Sequence, residues 1–259
     1  MPVLQEISSG ARRRLGDERG MALLVALMAI LLVMALGTAL ALGASVESTI
    51  ARNFLNSSGA LYAADAGLER TVGDLKAITD WNAVLSGTAS SAFADGAPAG
   101  TRTLSDGRLI NLAEIVSLAN CRQASPCSSA AMDASTADRP WGSNNPRWQP
   151  FAWGPLSGLL PADDVEPPFY VVVMVGDDPS ENDGDPLVDG ASPCPPEDSG
   201  SCNPGTDRLA VRAEAFGPFG AHEILEVTIA RRGAGERPPD YNGGGDQADV
   251  RILSWRELR

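Results

Sequence analysis

Aromatic residues make up only 5% of this 259-residue chain, and histidine occurs once, as His222. Few aromatics limit the size of any single hydrophobic core. One histidine among many Ser and Asp residues does not define a catalytic triad, and we interpret His222 as structural. Walker and dinucleotide-binding glycine motifs are also absent. These absences argue against an enzyme and against a required cofactor.

Basic residues are outnumbered by acidic ones, with 20 Lys+Arg against 33 Asp+Glu and a formal net charge of −13. A nucleic-acid interface needs clustered Lys and Arg to neutralise phosphates. The basic cluster of this chain is N-terminal, formed by Arg12, Arg13, Arg14 and Arg19. We therefore expect no nucleic-acid partner.

One long apolar run stands out, since residues 21–44 carry no charge over 24 positions. As a helix this run spans roughly 36 Å, enough to cross a hydrocarbon core of about 30 Å. The arginines before it predict a cytoplasmic N-terminus and export of the chain after it. The run is too long for an ordinary secretory signal, so we expect a single-pass inner-membrane anchor.

The helical pattern continues past the apolar run. Apolar side chains recur at spacings mainly of 3, 4 and 7 and share one helical face, at Val46, Ile50, Phe54, Leu61, Ala64, Leu68, Val72 and Leu75. No proline interrupts them. We predict one helix over residues 21–78, with a membrane half and an amphipathic half.

The junction Arg19-Gly20-Met21-Ala22-Leu23-Leu24 resembles the cleavage site of type IV pilin-like proteins. In that family a prepilin peptidase cuts after the glycine on the cytoplasmic side, and the new N-terminal amine is methylated. The resemblance implies that residues 1–20 are a leader and that Met21 is the first mature residue.

Two further segments are similar to the N-terminal region of the PilX family of minor pilins. Residues 47–53, ESTIARN, match its Glu-x-x-x-Ala-x-Asn pattern, and residues 60–69, ALYAADAGLE, match its Ala-Gly-Leu segment. With the junction and the apolar run, the resemblance covers residues 19–75. It implies a role in type IV pilus assembly. The residues assigned to the assembly helix are Val25, Glu47, Asn53, Phe54, Leu61 and Leu68.

Val25 occupies the fifth mature position, where major pilins carry a Glu that is thought to pair with the amine of a neighbouring subunit. A subunit without that carboxylate cannot make the pairing, so we expect this chain at or near the filament tip. Similar replacements occur in K-type pseudopilins of type II secretion, which stay an alternative. A single-pass membrane-anchored periplasmic binding domain is the other.

The resemblance also implies the partners and the location. We expect other minor and major pilins, the prepilin peptidase and a pilus-tip adhesin as partners. The mature chain would move from the inner membrane, with its C-terminal domain in the periplasm, to a pilus at the cell surface.

Residues 79–259 are expected to form the periplasmic globular domain. Residues 169–175 are a continuous β-branched run typical of a buried strand, and residues 208–216 alternate strictly. Residues 223–230 alternate less cleanly, and residues 250–255 complete the sheet. We predict an α+β, pilin-like fold, in which the long N-terminal helix packs on an antiparallel sheet with long loops.

Residues 79–168 show little periodicity. Residues 109–118 form the one convincing apolar segment there, read as a short strand or helix. Four large aromatics are interpreted as covering a thin loop core, with a partner or sugar platform as the alternative. They are Trp141, Trp148, Phe151 and Trp153.

The four cysteines form two close pairs in sequence, Cys121 with Cys127 and Cys194 with Cys202. Four cysteines allow three pairings. An exported location favours the two local disulfides. A zinc site is the alternative, but CxxC spacing is absent and the histidine is remote.

An acidic loop follows the first predicted strand, with six carboxylates clustered within 13 residues. Hard cations such as calcium prefer several such oxygen ligands. The loop does not match the EF-hand pattern, and a solvated acidic loop is the alternative to a calcium site. The candidate ligands are Asp177, Asp178, Glu181, Asp183, Asp185 and Asp189.

Overall fold

A computed structural model of the chain describes residues 18–160, 167–190, 203–231 and 249–258. Residues 1–17 of the predicted leader, and the predicted Cys194–Cys202 disulfide, lie outside the described residues.

A single 60-residue helix, α1 (Glu18–Ala77), opens the described chain. It agrees closely with the predicted helix over residues 21–78. The residues up to Arg52 form one compact unit, and those from Asn53 onward belong to a second. In the first unit the apolar side chains of α1 are exposed, and the helix is long and apolar enough to cross a membrane once. A signal sequence near the N-terminus would meet the same description.

The described part of the second unit contains seven strands, β1 (Thr101–Thr103), β2 (Leu109–Asn111), β3 (Gln149–Pro155), β4 (Tyr170–Asp177), β5 (Arg208–Phe216), β6 (His222–Arg231) and β7 (Val250–Leu258). They form a five-stranded antiparallel sheet in the order β3-β4-β5-β6-β7 and a small β1–β2 pair. The short helices are α2 (Asn82–Leu85), α3 (Leu112–Cys121) and α4 (Ser129–Asp133). This architecture confirms the predicted pilin-like α+β fold.

The last part of α1 packs on one face of the sheet through small side chains. Ala60, Ala63 and Ala64 are fully buried there, together with Leu68 one turn further on. A Cβ atom added at Gly67 would overlap the Cγ1 atom of Val171. The helix backbone at Gly67 therefore lies directly against the valine side chains of the sheet, which a larger residue at this position would prevent.

The opposite face of the sheet is covered by a second core. Leu112 and Ile115 of α3 pack there with Trp148 and Trp153. β4 alternates between the two cores, with Val171, Val173 and Val175 toward α1 and Tyr170, Val172 and Met174 toward α3. All eight residues of β4 are buried, and burial on both faces explains why the strand carries no charged residue before its last position, Asp177.

Strand β3 was not predicted from the sequence. Pro150 lies within it and argues against a strand, because proline cannot donate a ladder hydrogen bond. The structure resolves this conflict by placing β3 at the sheet edge with a register shift between Pro150 and Ala152. Trp148, Phe151 and Trp153 are buried as core residues, whereas Trp141 is half exposed.

The apolar segment over residues 109–118 contains strand β2 followed directly by most of helix α3. β2 ends at Asn111, whose side chain accepts hydrogen bonds from the backbone N–H groups of Ala113 and Glu114. This N-cap satisfies the first free N–H groups of α3 and sets the change from strand to helix at that residue.

A charged network covers part of the second sheet face. Arg212 donates to Glu214 and Glu226 over 2.7 Å each, and His222 Nε2 lies 2.9 Å from Glu214. His222 also stacks on Phe216 with ring centroids 4.4 Å apart, which is consistent with a structural role. Burial opposes ionisation of Glu214, but His222 and Arg212 together hold its pKa below the usual value.

We predict that Gly67→Ala lowers the free energy of unfolding. Overpacking costs about 1–3 kcal/mol, which outweighs the gain of about 0.5–1 kcal/mol from replacing a helical glycine. Gly73→Ala is the matched control, since nothing lies within 4 Å of its added Cβ, and it should stabilise the protein. Denaturant unfolding of the full chain in mild detergent measures both. Equal stabilisation by the two changes would contradict the close packing.

We predict that Glu214 contributes stability at neutral pH and loses that contribution in acid. Because its folded-state pKa is depressed, the stabilisation is complete above the ordinary value of 4.5 and disappears as the pH falls through the folded-state value. Wild type should exceed Glu214→Gln by about 1–3 kcal/mol at neutral pH, as expected for hydrogen bonds to charged groups. Unfolding curves at a series of pH values test this, and a constant difference throughout acid titration would contradict it.

Candidate functional site

The acidic loop after β4 forms the most unusual polar site in the described residues. Of the six predicted carboxylates, the structure brings three together: Asp177, Glu181 and Asp183 each offer one oxygen, and these oxygens all lie within 4.8 Å of one another. Asp177 is the last residue of β4, and the other two belong to the loop that follows.

Contacts from distant parts of the chain hold this loop in place. Asn144 Nδ2 donates to the carbonyl of Glu181 over 2.7 Å, and the backbone N–H of Asn182 donates to the carbonyl of Asn203 over 2.9 Å. Gly205 adopts a positive φ of 71°, and a Cβ there would overlap the Glu181 side chain. Asn203-Pro-Gly205 is a turn signal in the sequence, but its meeting with Glu181 is not apparent without the fold.

Two members of the cluster are deeply buried without hydrogen-bond partners. Asp177 is 2% exposed and Glu181 is 3% exposed. None of their four carboxylate oxygens has a hydrogen-bond partner. Burial raises the pKa of Asp177 to about 7, and the negative charges of Asp189 and Asp183 act in the same direction. Burial also raises the pKa of Glu181, with Asp177 and Asp183 adding to the effect.

The other three predicted ligands lie outside the three-carboxylate cluster. Asp178 is buried, but its Oδ1 accepts from the N–H and hydroxyl of Ser180. Asp185 is exposed and accepts from the N–H of Leu187. Burial raises the pKa of Asp189 to about 6, with Asp207 contributing. Within the three-carboxylate cluster, Asp183 accepts from the N–H of Asp185, so the carboxyl groups without a partner are those of Asp177 and Glu181.

The structure confirms one predicted disulfide, between Cys121 and Cys127. Cys121 is the last residue of α3, and the two Cα atoms are 6.2 Å apart. A disulfide leaves these two sulfurs without the thiolate that zinc would need.

The residues assigned to the assembly helix all lie on α1. Gly20, Met21, Val25 and Glu47 are exposed in its first unit. In the second unit the residues assigned to the assembly helix differ in burial. Leu68 is buried in the core, and Leu61 is half-buried against it.

Asn53 and Phe54, the two remaining members of that set, are exposed at the start of the second unit. The exposed fraction of the Phe54 side chain is 69%. The predicted single face is thus exposed at Phe54 and wholly or partly buried from Leu61 onward.

No protein-family model matches the chain, and neither the curated proteins nor the solved structures gave a significant match. The class of the protein therefore follows from its geometry. It is an α+β protein with a pilin-like architecture, in which one long apolar N-terminal helix continues into a domain with a five-stranded antiparallel sheet.

We predict that Glu181→Gln stabilises the protein in metal-free buffer. The change replaces a buried carboxyl group that has no hydrogen-bond partner and whose ionisation is opposed by burial, and an unpaired buried group of this kind costs about 1–3 kcal/mol. Asp185→Asn is the control, because Asp185 is exposed in the same loop and its amide can still accept from Leu187. Denaturant unfolding in the presence of a chelator measures both changes. A Glu181→Gln protein less stable than Asp185→Asn would contradict the unpaired state of Glu181.

Proposed function

We propose that this chain is a minor pilin of the PilX type, which takes part in type IV pilus assembly at or near the filament tip. The observation that carries the proposal is α1 itself. One uninterrupted helix has an exposed apolar first unit and a second part whose small-residue face packs on an antiparallel sheet.

The first unit of α1 is suited to a lipid environment. Its large apolar side chains are exposed from Met21 to Ile50, and a soluble protein rarely leaves so much apolar surface uncovered. Thr38, a polar residue within the run, donates its hydroxyl to the carbonyls of Met34 and Ala35 at 3.0 and 2.9 Å. Its hydroxyl donor is therefore satisfied inside the helix, as lipid requires.

The same surface is suited to assembly with other helices. Small residues at Gly37 and Gly43 leave open space beside the helix, and small residues let helices approach closely in membranes. Phe54, Leu55 and Tyr62 extend the exposed apolar surface into the second unit. We assign these side chains to contacts with other minor and major pilins.

We infer the processing of the chain and its position in the filament from the N-terminal residues. Prepilin peptidase would cut between Gly20 and Met21, and the mature helix would begin at a methylated amine. Residues 21–44 contain no carboxylate, so Val25 provides no partner for the amine of a neighbour. A subunit of this kind can begin a filament, where it would contact a tip adhesin after leaving the inner membrane.

We predict that the mature protein begins at a methylated Met21 when it is produced with a prepilin peptidase. Gly20→Leu should block the cut and leave the leader attached. Gly37→Leu is the matched control, because it makes the same change at an open position of the same helix and should be processed normally. Intact-mass and N-terminal peptide mass spectrometry measure the outcome.

An unprocessed wild-type chain in the presence of the peptidase would overturn the pilin assignment and favour a membrane-anchored domain. Processed protein is expected of a minor pilin and of a K-type pseudopilin alike. Loss of surface filaments on deletion supports the pilus role, whereas intact filaments with a loss of protein secretion would overturn it.

A further inference from the structure

We propose that Asp177, Glu181 and Asp183 bind one calcium ion, which fastens the loop after β4 to the end of that strand. The site stands on its own geometry and does not depend on the pilin role.

The distances between the carboxylates fit a single ion. Calcium is bound by oxygens at about 2.3–2.6 Å, so two oxygens that share one ion are at most about 5 Å apart. One oxygen from each of the three residues meets this limit, since all three lie within 4.8 Å of one another. The side chains of these three residues therefore already place three oxygen ligands around one point.

Burial without partners is the independent observation that points to a ligand. Asp177 and Glu181 are both more than nine-tenths buried, and all four of their oxygens lack a hydrogen-bond partner. By contrast, the buried Glu214 and Glu226 accept from Arg212. Because a buried carboxylate without compensation is costly, a cation accounts for two of them side by side.

The ligand chemistry selects a hard cation and favours calcium. All three side chains are carboxylates, which suit calcium and magnesium rather than the softer metals that prefer thiolate or imidazole. Magnesium demands near-ideal octahedral geometry and usually retains several waters, whereas calcium accepts six to eight oxygens in irregular positions. A site with two deeply buried carboxylates and one half-buried carboxylate fits calcium, which accepts irregularly placed oxygens, better than magnesium, which retains several waters.

The ion would join several parts of the domain. The loop that carries Glu181 and Asp183 is also tied to Asn144 and Asn203 by hydrogen bonds. Further along, the N–H of Asp189 donates to Asn82 over 2.8 Å. Calcium bound at Asp177 would thus fix the end of β4 to a loop that contacts three distant segments of the sequence.

The competing occupant is a proton shared between Asp177 and Glu181, which would satisfy the pair without a metal. A shared proton and a calcium site predict different responses to added calcium. A shared proton leaves the protein unresponsive to the ion, whereas a calcium site yields saturable binding and higher thermal stability.

The test is calorimetric titration of the full chain in mild detergent with calcium chloride, after treatment with a chelator. Thermal unfolding with and without calcium provides the second measurement. Wild type should bind one calcium ion, and its Tm should rise by about 5–10 °C at calcium a hundredfold above Kd. Asp185→Asn is the matched control and should respond like wild type. Glu181→Gln and Asp177→Asn should each lose the response.

The variants are expected to fold, because neither carboxyl group has a hydrogen-bond partner to lose, and their circular dichroism in chelator should match that of wild type. Two variants are included so that one poorly folded protein does not decide the result. No calcium binding by wild type would overturn the proposal in favour of the shared proton. Calcium binding by Glu181→Gln and Asp177→Asn as tight as that of wild type would also overturn it. So would magnesium binding by wild type as tight as its calcium binding. None of these outcomes depends on processing at Gly20.

Discussion

The rest of the domain depends on the close approach of α1 to the sheet. Ala60, Ala63, Ala64 and Gly67 offer no side chain longer than a methyl group, so the helix meets the strands at their valine and alanine side chains. Dispersion and burial then act over a long, flat contact. Because this seam covers one face of β4 and α3 covers the other, β4 carries no charged residue before its last position, Asp177.

Much of this fold could be predicted from the sequence, because periodicity reports which faces are buried. The extent of α1, strands β4 to β7 and the Cys121–Cys127 disulfide all carry local signals. Strand β3 does not, since Pro150 obscures it. Besides pairing with β4, it exchanges backbone hydrogen bonds with the distant segment at Phe93. Local patterns cannot show an edge strand that is stabilised from a distance.

The acidic loop illustrates the same limit at the level of a site. Composition alone identified six carboxylates, yet the fold separates them by whether a backbone N–H group is within reach. Asp178 and Asp185 accept such bonds within their own loop, whereas Asp177 and Glu181 are buried with no hydrogen-bond partner. Elsewhere in the described residues, buried charges such as Arg139 find several acceptors, including the carbonyls of Ala119 and Pro146. The burial of Asp177 and Glu181 is therefore not offset by hydrogen bonds in the way that the burial of Arg139 is.

The central claim is that α1 is an assembly helix and not only an anchor. Its most direct test is the location of the chain in cells that carry type IV pili, by immunogold electron microscopy and by analysis of sheared surface filaments. The account predicts label at filament ends and a small amount of the chain in the sheared fraction. Label confined to the cell membrane would contradict assembly, and even label along the whole shaft would contradict a position at the tip.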